Sequence, residues 1–410
     1  MPIKLVESKT NGAKIKVIGV GGGGGNILNS MVSKGIEGVE FIAINTDAQA
    51  LERSKADVKI AIGNSITNGL GAGMKEEVGF KAVEESRDEI ERALAGSDMV
   101  FITAGMGGGT GTGGAPAIAH IAKGLDALVV AIVTKPFAFE GKPRSDLAIS
   151  GIDKLKSEVD SLIVIPNEKI LKLINKETTK KVAFELADRV LYNATKGISQ
   201  IITKIGEINV DFADVRTTMK DMGDAMMGTG IATGENRAVM AVTYALSNPI
   251  LDEIDIKGSR SVLVNICSNG EIKMSEIEEI NRIIQESAGE DAKYILGVVD
   301  DESMKEELMV TVIATGFNYA SDVKQQDELR NAAELKARTG IISTTGRITS
   351  LPTAESLGQY DRPAHERREI SLNEDLSEKK VKVPELSEEE LDILLDNDFK
   401  KPAFLRRQMD

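Results

Sequence analysis

Tryptophan is absent from this 410-residue chain, cysteine occurs once, histidine twice, and aromatic residues make up only 4% of it. A lone thiol, Cys267, cannot close an internal disulfide, so the chain is no small stapled scaffold; its apolar setting marks a buried structural thiol and fits a reducing compartment. Two histidines and one cysteine leave no protein zinc site to assemble. Long apolar runs are missing too. No stretch approaches the roughly 20 residues needed to cross a bilayer, and the amino terminus, MPIKLVESKT, lacks the apolar core of a signal peptide. A cytoplasmic protein is expected. Positive charge is also in deficit: the formal net charge of -14 works against broad binding to a polyanion, which needs a clustered basic face. Any phosphate bound is expected to be small and held locally.

What is present suffices for two cores and a tail, since single domains usually run about 100–200 residues. The first half alternates KIKVIGV, EFIAINT, VKIAIG, DMVFITA, ALVVAIVT and SLIVIP with amphipathic stretches such as EEVGFKAVEESRDEIERAL. That is the pattern of βαβ units around a mostly parallel, buried sheet. From Thr178 to Ile205, Val182, Leu186, Val190, Ala194, Ile198 and Ile202 recur every four residues and predict one long helix with a buried stripe. NVDFADV and a further helical region follow, then the strands RSVLVNIC and LMVTVIATG with the helix EIEEINRIIQESA between them. Past Asn318 the composition is that of a disordered linker, and the end carries an acidic-apolar segment followed by Pro402, Phe404, Leu405 and two arginines. The expected organisation is a phosphate-binding domain over 1–177, a central helix over 178–205, a second α/β domain over 206–317, a linker over 318–395 and a terminal peptide over 396–410.

The stretch GMGGGTGTGGAP, 105–116, follows an apolar strand and precedes the apolar helix AIAHIAKGL. Glycine lets backbone N–H groups approach a ligand closely, threonine hydroxyls add donors, and a helix expected to begin near Pro116 adds the positive end of its dipole. A phosphate is the natural occupant. No Walker loop is involved, because G-x-x-x-x-G-K-[ST] occurs nowhere. A second glycine loop, KVIGVGGGGGNILNSM, also satisfies the Rossmann fingerprint, with Asp47 placed as a ribose-binding acid. Two such loops after different strands weaken a dehydrogenase reading, since a Rossmann dinucleotide site needs one. His120, inside the apolar helix behind the first loop, is read as core; His365 falls in the linker.

VIGVGGGG, NTDAQAL, GLGAG, GGGTGTG, FEGKPR, NVDFADV, GIATGENRA and PAFLRR stand in this order along the chain. The set resembles the FtsZ family, the tubulin-like bacterial cell-division GTPases, over nearly all of residues 14–317 and again over the last dozen. The resemblance implies an α/β, tubulin/FtsZ-like fold: a Rossmann-like GTP-binding domain and a smaller α/β domain joined by a long central helix, with a disordered C-terminal tail. It implies GTP and GDP as ligands, Mg2+ arriving with the nucleotide, and a head-to-tail homopolymer forming the division ring at mid-cell. Membrane-tethering adaptors and assembly regulators would bind Pro402, Phe404, Leu405 and Arg406, bringing the polymer to the inner face of the membrane.

By the same resemblance Gly22, Gly23, Gly24 and Gly25, with Gly108, Gly109, Thr110, Gly111, Thr112 and Gly113, surround the phosphates, while Gly71, Ala72 and Gly73 approach the terminal one. Glu140 and Arg144 face the ribose and phosphates; Asn26, Asn167 and Asp188 meet guanine, which packs on Phe184. Asn209, Asp211 and Asp214 are the catalytic set, in a loop that enters the next subunit's pocket. Part of this follows from the residues themselves: Phe184 and Asp188 are i and i+4 on one helix and share a face, and a carboxylate accepts from guanine N1–H and its 2-amino group. Two other readings stand beside it, a filament GTPase that moves DNA or shapes the cell, and a nicotinamide-dependent oxidoreductase. Three departures from the family pattern are Pro143 in FEGKPR, the helix segment LYNATKGIS, and Lys401 ahead of Pro402.

Overall fold

The computed structural model describes residues 12–170, 178–204, 206, 208, 210–247, 256–289 and 291–317, with the backbone alone at Lys180, Lys181, Phe184 and Glu185. Asn209, the linker and the terminal peptide with Lys401, Pro402, Phe404, Leu405 and Arg406 lie outside the described residues.

The first half runs β1 (Ile15–Val20), α1 (Gly21–Ser33), β2 (Val39–Asn45), α2 (Ala48–Glu52), β3 (Val58–Ala61), α3 (Asn64–Thr67), α4 (Glu76–Glu85) and α5 (Arg87–Leu94). It continues with β4 (Met99–Gly105), α6 (Gly109–Gly124), β5 (Leu128–Lys135), α7 (Lys142–Glu158), β6 (Ser161–Pro166) and α8 (Asn167–Ile170). Then come α9 (Lys180–Thr203), α10 (Phe212–Met219), β7 (Gly223–Ala232), α11 (Arg237–Leu246), β8 (Ser261–Ser268), α12 (Met274–Ala288), β9 (Lys293–Asp300) and β10 (Leu308–Thr315).

The apolar strand runs are buried on both faces because successive side chains point to opposite sides of the sheet. Val17, Phe101 and Ile132 pack with α1 and with Leu191 and Ile198 of α9. Their neighbours Ile18, Ile102 and Val133 pack on the other side with Val83, Ile90, Ile118 and Leu155. The strands make one ten-stranded sheet, in the order β3-β2-β1-β4-β5-β6-β7-β10-β8-β9. Its first six are parallel, as the βαβ pattern requires. β10 runs antiparallel to β7 and β8, and β8 and β9 are parallel. The two runs join where β6 meets β7 through three residue pairs, Ser161 with Gly223, Leu162 with Asp224 and Ile163 with Ala225.

The stripe expected on the long helix is corrected at one end: Val182 is exposed, whereas Ala194 and Ile198 are buried and Leu186, Val190 and Ile202 pack partly buried against the core. Among the described residues the buried apolar side chains of α9 are Ala183, Ala187, Leu191, Ala194, Ile198 and Ile201. A strict four-residue repeat advances about 40° per step around a 3.6-residue helix and winds off any single face; alternating steps of three and four stay on it.

Candidate nucleotide pocket

β1 and β4 are neighbours and end level, Val20 opposite Ala104. β2 and β3 lie to one side of this pair and β5 and β6 to the other, so strand order reverses between them. A crevice at the carboxyl ends of strands is the expected ligand position at such a switch point, and both glycine runs open onto it. The helix expected from Pro116 begins seven residues earlier, at Gly109, with Pro116 inside it; likewise α1 starts at Gly21. Glycine disfavours a helix by about 1 kcal/mol per residue relative to alanine, yet here the missing side chains let backbones meet. A Cβ at Gly24 would overlap the Thr103 carbonyl oxygen, and one at Gly113 the Glu76 carbonyl oxygen. Gly22, Gly25 and Gly108 face open space instead.

A cavity of about 250 Å³ lies at the N-terminus of α6, lined by Gly22, Gly23, Gly108, Gly109, Thr110 and Gly111 with Glu140, Arg144 and Asn167. A second, of about 200 Å³, lies across the start of α1 and is lined by Gly22, Gly25, Asn26, Asn29, Asn45 and Arg53. The free N–H groups of two helix starts therefore converge on Gly22 and Gly108. Arg144 Nη1 pairs with Glu140 Oε2 at 3.0 Å, while Arg144 Nε and Asn167 Oδ1 are buried with no hydrogen-bond partner. A donor and an acceptor are thus left for a ligand. Pro143 falls in the first turn of α7, where its missing N–H costs nothing.

The profile of the tubulin/FtsZ family GTPase domain matches residues 14–175, and that of the FtsZ family C-terminal domain matches 223–318. The chain belongs to the FtsZ family. It is 45% identical over 404 residues to the cell division protein FtsZ of Coxiella burnetii (strain RSA 493 / Nine Mile phase I), covering 98% of both chains. It is 44% identical over 413 residues to that of Azotobacter vinelandii, covering 99% of this chain and all of the relative. A solved empty FtsZ dimer from M. jannaschii superposes with a TM-score of 0.72 at 45% identity, over 75% of this chain and 89% of that one.

Within this FtsZ-family pocket some residues have duties that the sequence does not announce. Thr110 Oγ1 and Thr46 Oγ1 are 2.6 Å apart, which fixes the end of β2 to the start of α6. Thr112 Oγ1 accepts from Gly107 N–H at 2.9 Å and shapes the turn. Gly71 N–H donates to the Thr46 carbonyl oxygen at 3.1 Å, and a Cβ at Gly109 would come 2.8 Å from Ala72 Cβ, so the 71–73 loop rests on the first turn of α6. Asp47 caps α2, its Oδ1 accepting from Gln49 and Ala50 N–H. Thr46, Asn45, Arg53, Met106, Thr134 and Pro136 were not foreseen; all but Arg53, which follows α2, lie at or just past the carboxyl end of a strand, the signal that could have found them.

Other expected site residues are not gathered in either cavity. Asp188 is partly buried on α9, and Phe184 is on the same helix with its side chain outside the described set. Asp211 stands at the N-cap position of α10, without a side-chain cap bond, and Asp214 sits in its first turn, both exposed. His120 is corrected: its side chain is 64% exposed, with Nδ1 2.9 Å from Glu158 Oε2. Glycine and alanine bury nearly all of α6, but His120 lies on the side facing a groove between α4 and α7.

Proposed function

We propose that this FtsZ-family cell-division GTPase hydrolyses GTP at the junction of two subunits stacked head to tail, and that the resulting filament forms the division ring. The observation that carries this reading is the separation of the two half-sites. α9 has 24 residues and at 1.5 Å per residue spans about 36 Å; the glycine pocket precedes it and the exposed carboxylates of α10 follow it. One chain does not close that gap, whereas a neighbour does, and a heterologous contact of this kind propagates.

In this reading the helix starts at Gly21 and Gly109 hold the phosphates, and Arg144 and Glu140 flank the ribose side. Asn26, Asn167 and Asp188 select guanine above Phe184. Asn209, Asp211 and Asp214 of the next subunit orient and polarise the attacking water, which is most of what phosphoanhydride hydrolysis asks of a protein. Among the described residues no group of three or more His, Cys, Asp or Glu could cage a metal ion. Mg2+ would come with the nucleotide, held largely by phosphate and water, and would supply charge neutralisation at the phosphates. No described helix is long and apolar enough to cross a membrane; attachment at mid-cell falls to adaptors that bind Pro402, Phe404, Leu405 and Arg406.

The test is GTP turnover against protein concentration. Monomers should bind GTP but hydrolyse it poorly, with specific activity rising as assembly begins. Full activity at dilutions where the protein sediments as a monomer overturns the shared site.

A further inference from the structure

α10 carries Asp211 and Asp214 at its exposed end, and its other end is built into the sheet. Ser161 Oγ donates to the Met219 carbonyl oxygen at 2.6 Å and Thr315 Oγ1 to that of Thr218 at 3.0 Å. The carbonyl oxygen of Asp160 accepts from Met222 and Gly223 N–H at 2.9 and 3.0 Å. Lys123 Nζ lies 3.7 Å from Oδ1 of the buried Asp160 and 3.4 Å from Asp221 Oδ1. Those contacts fix where the helix ends.

Nearer the exposed end stands Arg216, two residues after Asp214. Its Nη2 donates to both the carbonyl oxygen and Oδ1 of Asp126, at 3.1 and 2.8 Å. Asp126 follows α6 in the left-handed region, φ 59°, a conformation that aspartate tolerates better than most residues. Main-chain and side-chain oxygens are thus presented to one guanidinium nitrogen. α6 has 16 residues and so spans about 24 Å; its first turn lines the pocket, and the turn after its last holds α10. A second path, independent of α9, therefore links the pocket of a subunit to its own carboxylates.

We propose that Asp126 is a positioning residue for hydrolysis: by holding Arg216 it orients α10 and, through it, Asp214. The proposal rests on the shared-site reading above. Asp126 touches neither nucleotide nor attacking water. Its side chain is 86% exposed, and exposed ion pairs add little to stability, so folding and turnover should respond separately. Misplacing a reacting group by about 1 Å costs up to roughly a hundredfold in rate; a helix still anchored at its far end moves less, and the expected loss is about threefold to tenfold.

The experiment compares Asp126→Gly, which removes Oδ1 without straining the backbone, with Asp126→Asn, which keeps that acceptor, both in the full chain. Asp126→Gly should melt and bind GTP like the parent but turn over about threefold to tenfold more slowly once assembled, while Asp126→Asn keeps most of the activity. Mixing decides which half-site is affected. A Gly108→Asp chain has a blocked pocket and an intact α10, and in excess it should restore turnover in the Asp126→Gly pockets. An Asp214→Ala chain should restore nothing. Parent-level turnover of Asp126→Gly, equal losses in Gly and Asn, or no restoration by Gly108→Asp overturns the positioning role. An Asp214→Ala chain that is fully active alone overturns the shared-site reading, and the proposal with it; an inactive one beside a fully active Asp126→Gly overturns the proposal alone.

Discussion

Gly108 and Gly113, five residues apart in one motif, meet opposite requirements. Gly108 is the N-cap of α6 with ordinary backbone angles and open space beside it, whereas Gly113 sits against the backbone of α4. Aspartate is a favoured N-cap, so Gly108→Asp should leave the melting temperature within a few degrees of the parent while its charge repels phosphate and weakens GTP binding by more than about tenfold; titration calorimetry reads both the affinity and the folded fraction. Gly113→Ala should cost about 1–3 kcal/mol of stability by overpacking, read from its urea midpoint. Cys267 offers a third check. Burial, helped by the charge of Asp301 and opposed by that of Lys196, pushes its thiol from 9.0 up to about 11. Above pH 9 the unfolded chain releases a proton that the folded chain keeps, so stability falls as pH rises from 9 toward 11, by about 1.4 kcal/mol per unit. Cys267→Ala should flatten that decline relative to the parent in urea melts at pH 8, 9 and 10. A glycine's place in a motif told which residues gather, but its partner backbone, Thr103 for Gly24 and Glu76 for Gly113, lies far away in the chain and could not be read from spacing.

Among elements, α9 shows the limit of reading by repeat. Leu191 is fully buried and Val182 exposed, so Leu191→Ala should destabilise by about 2–5 kcal/mol and Val182→Ala by under about 0.5 kcal/mol, measured by chemical denaturation; similar costs would mean that the buried face is misassigned. The strands β7, GDAMMGTGIA, and β9, KYILGVVD, went unread in the sequence. β7 has three glycines and a backbone that comes close to α11, where a Cβ at Gly230 would overlap the Ala241 carbonyl oxygen. Glycine is a poor strand former alone; a helix packed against the strand supplies the reason for it. The glycine starts of α1 and α6 were hidden likewise, as local propensity was overruled by packing.

For the whole molecule, the second α/β domain expected from the sequence, matched over 223–318 by the FtsZ family C-terminal domain, extends the same sheet through the short β6–β7 pairing. The proposed function divides the work along the chain. Deleting residues 396–410 should spare concentration-dependent GTP turnover and abolish capture by membrane-tethering adaptors; loss of turnover in the truncated chain would assign the tail to the hydrolytic machine.

The sequence by itself determined the parallel β/α first half, the two glycine runs and the family, because each is written in local order: apolar runs of strand length, helical periods, and motifs a few residues long. Tertiary structure alone decided which glycines face open space and which face backbone, that Thr46 supports Thr110, that His120 points outward, and that Asp126 reaches Arg216. Those facts depend on contacts between segments far apart in the chain, and a side chain's job there is set by what the fold brings beside it rather than by its neighbours in sequence.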